Sequence, residues 1–229
     1  MKAYALLGGP KSEWPQDIKE TLTAAKRSGD LIIGVDRGSF LLTELGIIPD
    51  LAIGDFDSLK KKELNQIESQ VADIRYSNPV KDLTDSELMI RIAFKDYKIN
   101  QLIIYGATGG RIDHFLTNLF MITNEDVRKF AEKISIVDKQ NQIYFYKSGI
   151  HKIKKSINYP YFGIYTLGPI KNLNISLAKY DLKDFSNDYP KTFASNEFLP
   201  EKDYVEIAIS KGMIAVIFSK DIDRFYNIK

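Results

Sequence analysis

The sequence contains no cysteine, and its 229 residues include only two histidines. Disulfides and thiolate-held metals are therefore excluded, and a cytoplasmic location is the expectation. Long hydrophobic runs are missing too. No apolar stretch reaches the roughly 18 residues that a spanning helix needs. The opening "MKAYALLGGPKSEW" has too short an apolar core for a signal peptide and reads as a first strand ending at Gly8-Gly9. Excess charge of one sign is scarce. The formal net charge is +2, so no broad basic field points to nucleic acid. Neither G-x-x-x-x-G-K-[ST] nor G-x-G-x-x-G occurs, and "GGPKS" has the wrong spacing for either. Any phosphate site must be of another type.

What is present is the make-up of a globular protein, 44% hydrophobic and 27% charged. The length allows one large domain or two small ones. Up to about Asp138, short apolar runs alternate with amphipathic ones. Strands are expected over residues 3–7, 31–35, 51–53, 72–75, 102–105 and 134–137. Helices are expected in the segments between. Leu88, Ile92 and Ala93 recur at helical spacing, as do Phe115, Leu119 and Ile122. This alternation predicts an α/β domain, residues 1–138, whose mainly parallel sheet is flanked by helices. In such sheets ligands sit beyond the carboxyl ends of the strands.

From about Gln140 the rhythm changes. "NQIYFYKSG", "IHKIKKS", "YFGIYTLG", "LNISLAKYDL", "YVEIAIS" and "MIAVIFSKD" are short, rich in Ile, Val, Tyr and Phe, and punctuated by Gly, Pro and Asn. They predict an all-β antiparallel, sandwich-like domain over residues 139–229. "SKGM", Ser210 to Met213, reads as a hairpin turn. His151 lies among lysines in a strand and is expected to face solvent.

The chemistry gathers at the expected strand ends of the first half. "GVDRGS" places Asp36 after the second strand. "GDFDSL" places Asp55 and Asp57 after the third. "VKDLTDSEL" places Asp82 and Asp85 after the fourth. Each acid has a plain structural reading. Asp57 or Ser58 can cap the next helix, and Thr84 with Glu87 matches a capping box that makes Asp85 a first-turn acid. Together they are harder to explain. Two carboxylates about 5 Å apart repel by roughly 3 kcal/mol at an effective dielectric near 20. A cation, a shared proton or a nearby base relieves that. The all-oxygen donor set suits Mg²⁺, or Mn²⁺ or Ca²⁺, rather than structural zinc.

"YGATGGRIDH" follows the fifth strand. Its glycines allow backbone N–H groups close to an anion, and the next helix offers its positive end. Arg111 suits a phosphate, or else bridges to Asp113 in an ordinary strand-to-helix turn. His114 is a nucleotide contact, a base or a helix-start residue.

"DRGSFLLTELGIIPDLAIGDFDSL", "KDLTDSELMI" and "YGATGGRIDHFLTNL", in that order, resemble the catalytic domain of the thiamine pyrophosphokinase family. "SLAKYDLKDF" and "ASNEF" are similar, more weakly, to the family's thiamine-binding domain. The resemblance covers nearly the whole chain. It implies an enzyme that transfers a diphosphoryl group from ATP to the hydroxyl of thiamine, leaving AMP. It implies Mg²⁺ on Asp55, Asp57 and Asp85, with Asp36 and Asp82 completing a catalytic acidic pocket. Arg37, Thr108, Gly109, Arg111, Asp113 and His114 then fall near ATP. Tyr180, Ser195 and Asn196 fall near thiamine. A homodimer with its active site at the subunit interface is also implied. Two departures stand out: Arg37 where many relatives have Gly, and Lys81 where some carry a neutral amide. Other readings are a D-x-D phosphatase with Asp55 as nucleophile, a D-x-D glycosyltransferase, and a non-catalytic sensor of thiamine or nucleotide.

Overall fold

A computed structural model of the chain describes residues 1–77 and 83–221. The chain divides into two units, with the division between Lys139 and Gln140. The first unit is built on six strands: β1 (Lys2–Leu6), β2 (Leu31–Val35), β3 (Leu51–Gly54), β4 (Asp73–Tyr76), β5 (Gln101–Tyr105) and β6 (Ile134–Val137). Their order across the sheet is β6-β5-β1-β2-β3-β4, and all five pairings are parallel. β2 and β3 are buried along their whole length, as strands covered on both faces must be. β4 is the edge. Asp73, Arg75, Asp96 and the Tyr97 hydroxyl form a hydrogen-bonded network along it, the kind of charged covering that blocks pairing with another chain.

The helices are α1 (Ile18–Arg27), α2 (Arg37–Glu44), α3 (Lys61–Gln70), α4 (Asp85–Lys95), α5 (Ile112–Phe120) and a single turn, α6 (Glu125–Arg128). α4 buries Met89, Ile90, Ile92, Ala93 and Phe94, a wider apolar face than the expected Leu88–Ile92–Ala93 stripe, and Leu88 itself is half-buried. α5 buries Asn118 and Leu119 and leaves Ile112, Leu116 and Phe120 exposed.

Because every strand is parallel, all their carboxyl ends meet one rim. Successive connections run from β1 to β4 in one direction, whereas β5 returns to the other side of β1. That reversal is the switch point at which open α/β sheets bind ligands. The two glycine-rich segments lie there.

The second unit contains β7 (Asn141–Lys154), β8 (Tyr161–Thr166), β9 (Ile170–Ser176), β10 (Leu182–Asn187), β11 (Thr192–Glu197) and β12 (Tyr204–Ser219). All pairings among them are antiparallel. Ser210–Met213 is not a hairpin turn. β12 runs straight through it, with a shift of register against β7 between Ile209 and Met213 and Gly212 at φ 118°. A bulge bends a strand without reversing it. The first half of β12 pairs with β9 and the second with β8, while β7 follows both. The bent pair therefore carries one continuous sheet into two arms, one through β9 and one through β8, and Ile153, Phe162, Leu173, Val205, Ile207 and Val216 belong to one buried core cluster.

Candidate active site

Asp36 follows β2 and stands before the first residue of α2 in a strained conformation, φ 48° and ψ −124°. Few residues other than glycine hold a positive φ, and such strain clusters at functional sites. Three contacts maintain it. The Asp36 N–H donates to the Ile53 carbonyl at 2.8 Å, its carbonyl accepts from the Ser39 N–H at 3.0 Å, and its Oδ1 accepts from the Phe56 N–H at 3.4 Å. Gly54, at φ 153°, makes room: a Cβ there would lie 1.9 Å from Asp36 Oδ1.

Between the two acids of "DFD", Phe56 takes a left-handed φ of 57° and is buried with Ala52, Ile67 and Val71. Its ring edge meets Tyr76, with centroids 5.4 Å apart. The apolar anchor beneath holds the loop while Asp55 stays half-buried and Asp57 exposed. Asp55 Oδ1 accepts from the Asp57 N–H at 3.1 Å, closing a local turn. Asp85 opens α4, behind the expected capping box: the Glu87 N–H donates to Thr84 Oγ1 at 3.3 Å, and Glu87 Oε2 accepts from the Thr84 N–H at 2.8 Å.

Asp36, Asp55 and Asp85 interact electrostatically. Burial, then the Asp85 charge and a hydrogen bond to it, with Asp55 adding a smaller repulsion, push the Asp36 carboxyl up to about 7. Asp36 thus retains a proton up to near neutrality. Asp82 lies outside the described residues, as does Lys81. Among the described residues, no three of His, Asp and Glu form a ready-made metal cage. The donor chemistry nevertheless fits Mg²⁺. The nearby groups are carboxylate oxygens, burial and then repulsion from Asp85 and Asp55 disfavour charge on Asp36, and Mg²⁺ ordinarily completes its shell with phosphate and water.

That titration has a measurable consequence. The Asp36 pKa in the folded state exceeds its ordinary value of 3.8. Between pH 4 and 7 the native protein therefore holds a proton that the unfolded chain has lost, so stability falls as pH rises through this window. In metal-free buffer the melting temperature should decline between pH 4 and 7 by more in the wild type than in Asp36→Asn. Parallel profiles for the two proteins would contradict the assignment.

Across the rim, the end of β1 is joined to the end of β5. The Leu7 N–H donates to the Tyr105 carbonyl and the Gly9 N–H to the Gly106 carbonyl, both at 2.9 Å. A Cβ on Gly9 would come 2.4 Å from the Gly106 oxygen, and Gly109 and Gly110 follow at φ 75° and 69°. Only glycine fits this close approach and this pair of left-handed residues. The Thr108 hydroxyl donates to buried Asp138 at 2.7 Å, so that side chain braces the loop from within. Two residues without an expected role brace it further. Asn118 Nδ2 donates to the Ala107 carbonyl at 3.2 Å, and the Ser86 hydroxyl donates to Asn118 Oδ1 at 3.1 Å. All three groups are buried, and the pair ties α4 and α5 to the loop. The available signal was a polar residue next to Leu119 on the inward face of α5.

Arg111 and Asp113 are both exposed and pair with each other through Nε–Oδ1 at 3.1 Å and Nη2–Oδ2 at 2.5 Å. The guanidinium holds the Asp113 carboxyl below its usual range. His114 is exposed beside them. Arg37 does not stand free: Nη1 reaches the Ser58 carbonyl and Glu63 Oε2, both at 3.4 Å, linking the "DFDS" loop to the start of α3.

In the second unit Tyr180 is 58% exposed, and Ser195 is exposed at φ 59°. Asn196 is buried, and its amide faces the backbone of Tyr180 instead of solvent. His151 Nε2–H donates to the Lys147 carbonyl at 2.8 Å and the ring packs on Tyr146, so it is half-buried rather than freely solvated.

The chain matches two family models. The thiamin pyrophosphokinase catalytic domain covers residues 23–137, and the thiamin pyrophosphokinase vitamin B1 binding domain covers residues 150–214. It is 33% identical over 216 residues to the thiamine pyrophosphokinase of Bacillus subtilis strain 168, covering 93% of this chain and 96% of that protein. The crystal structure of a thiamin pyrophosphokinase family protein from Enterococcus faecalis superposes with a TM-score of 0.86 at 33% identity, over 96% of this chain and all of that one. Yeast thiamin pyrophosphokinase shares the fold, with a TM-score of 0.73 at 15% identity, over 96% of this chain and 86% of that one. Full-length similarity, both family domains in order and the acidic rim opposite a glycine-lined loop agree: the chain belongs to the thiamine pyrophosphokinase family.

Proposed function

We infer that this chain forms thiamine diphosphate and AMP from ATP and thiamine, with the first unit acting on ATP and the second holding thiamine. The observation that carries the reading is the full-length match to a thiamine pyrophosphokinase, in which two domain models occur in order. The reaction asks mainly for alignment and charge neutralisation. Asp55, Asp57 and Asp85 are the residues that would hold Mg²⁺, which would neutralise charge on the transferred phosphates. Asp36 and Asp82 would shape the same acidic pocket, and Asp36, able to carry a proton near neutrality, is suited to receive one from the thiamine hydroxyl. Arg111, Asp113, His114 and the backbone of Thr108–Gly109 would face ATP, with Arg111 exchanging Asp113 for phosphate. Arg37 would act by holding the Asp55–Ser58 loop. Tyr180 and Ser195 would meet thiamine, the exposed ring attracting its cationic thiazolium.

The enzyme is expected to work in the cytoplasm as a homodimer with its active site at the subunit interface. The exposed Ile112, Leu116 and Phe120 on one side of α5 suit a second copy. Light scattering should give twice the monomer mass; a monomer at catalytic concentrations would reject that part. The function itself is tested by product analysis. Purified protein with Mg²⁺, ATP and thiamine should form thiamine diphosphate and AMP in equal amounts. ADP in place of AMP would sink the diphosphoryl mechanism.

A further inference from the structure

Tyr180 lies between β9 and β10 and is 58% exposed although its backbone is held firmly. Asn196, on β11 and only 5% exposed, holds it. Asn196 Oδ1 accepts from the Tyr180 N–H at 3.0 Å, and Nδ2 donates to the Tyr180 carbonyl at 2.8 Å. The same Oδ1 accepts from the Glu197 N–H at 2.9 Å. A side-chain amide carries a carbonyl and an N–H donor, so it can pair with both backbone groups of one residue as a neighbouring strand would. It does so here beside the irregular register between Phe193 and Asn196, where Ser195 takes its positive φ.

The surroundings extend the clamp. The Lys179 N–H donates to the Glu197 carbonyl at 3.0 Å, and its ammonium pairs with Glu197 Oε1 at 2.7 Å. That ammonium lies 5.5 Å from the Tyr180 ring centroid. Within its segment, Tyr180 is thus fixed at both backbone groups while its ring stays open to solvent. An exposed ring ordered before binding spares a ligand the cost of ordering it.

We propose that Asn196 is a positioning residue for Tyr180: its buried amide serves as a surrogate peptide that sets the ring for the thiazolium, and it does not itself contact thiamine. This rests on the reading of Tyr180 as a thiamine contact. Three hydrogen bonds from a buried amide leave one N–H and little accessible surface for a ligand.

Steady-state kinetics of the full chain test this with Asn196→Ala, Tyr180→Ala and the double variant. Each single variant should raise KM for thiamine about tenfold, within the range of a lost cation–π contact, with KM for ATP unchanged. The double variant should match Tyr180→Ala alone, since a residue acting only through the ring has nothing left to position. Asn196→Asp keeps the acceptor and loses the donor; should the alanine variant fail to fold, it replaces alanine in the same cycle with the same expectation. Single effects that multiply in the double variant would mean that Asn196 meets thiamine directly and would overturn the proposal alone. A wild-type protein that makes no thiamine diphosphate would overturn the functional reading, and this proposal with it.

Discussion

Asp57→Asn should lower thiamine diphosphate formation at least a hundredfold and leave the fold intact. The side chain is exposed, and the hydrogen bond that shapes its turn uses its backbone N–H rather than its carboxylate. An amide of the same size preserves that turn, so a stability change within about 0.5 kcal/mol is expected. The negative charge is what disappears. Removing one electrostatic partner of a reacting group typically costs 10²–10³ in rate. Unfolding curves and turnover on the same preparation separate the two effects. A variant that loses stability in step with activity would return Asp57 to a structural role at the start of the loop. Raising the Mg²⁺ concentration should recover part of the lost rate if the carboxylate binds the metal.

Gly54→Ala should be a severely damaging single-methyl change on this rim. The added Cβ would fall 1.9 Å from Asp36 Oδ1, at a φ of 153° that L side chains rarely adopt. Backbone strain of this kind costs about 1–3 kcal/mol, and relief requires the Asp36 carboxylate to move. That carboxylate accepts from the Phe56 N–H and interacts with Asp85, so its displacement would reach both neighbouring acids. Melting should fall by several degrees and turnover by more than tenfold. Wild-type melting and turnover together would show that the two strand ends are less closely fitted than this geometry has them. The alanine change at Gly46, also left-handed but with nothing within 4 Å of its Cβ, is the control for strain without a clash.

The two predictions differ in what the sequence disclosed. The acids of "GDFDSL" announce themselves by charge and by position after an apolar strand, so Asp57 could be named without coordinates. Gly54 could not. Its necessity comes from Asp36, 18 residues earlier, whose carboxylate occupies the space where a side chain would begin. Arg37 shows the same limit in reverse. Its charge suggested a phosphate, and only the fold reveals Glu63 and the Ser58 carbonyl within its reach. Arg111 and Asp113 are close in sequence, and their pairing was one of the two readings open from the sequence itself.

The sequence by itself determined the α/β first half, the β-rich second half and the family, because periodicity, turn residues and motif order are local properties of the chain. It also determined the capping box at Thr84–Glu87, which spans a single helical turn. It could not decide that β12 bends through Ser210–Met213 instead of reversing. Gly-containing turns and bulges draw on the same residues, and only pairing with β7, β8 and β9 selects between them. Nor could it show that Asp36 is strained and buried beside Asp85, that Asn118 and Ser86 hold the Ala107 loop, or that Asn196 grips Tyr180. Each depends on groups many residues apart meeting within about 3 Å, and spacing along a chain carries no such distance until strands and helices are packed.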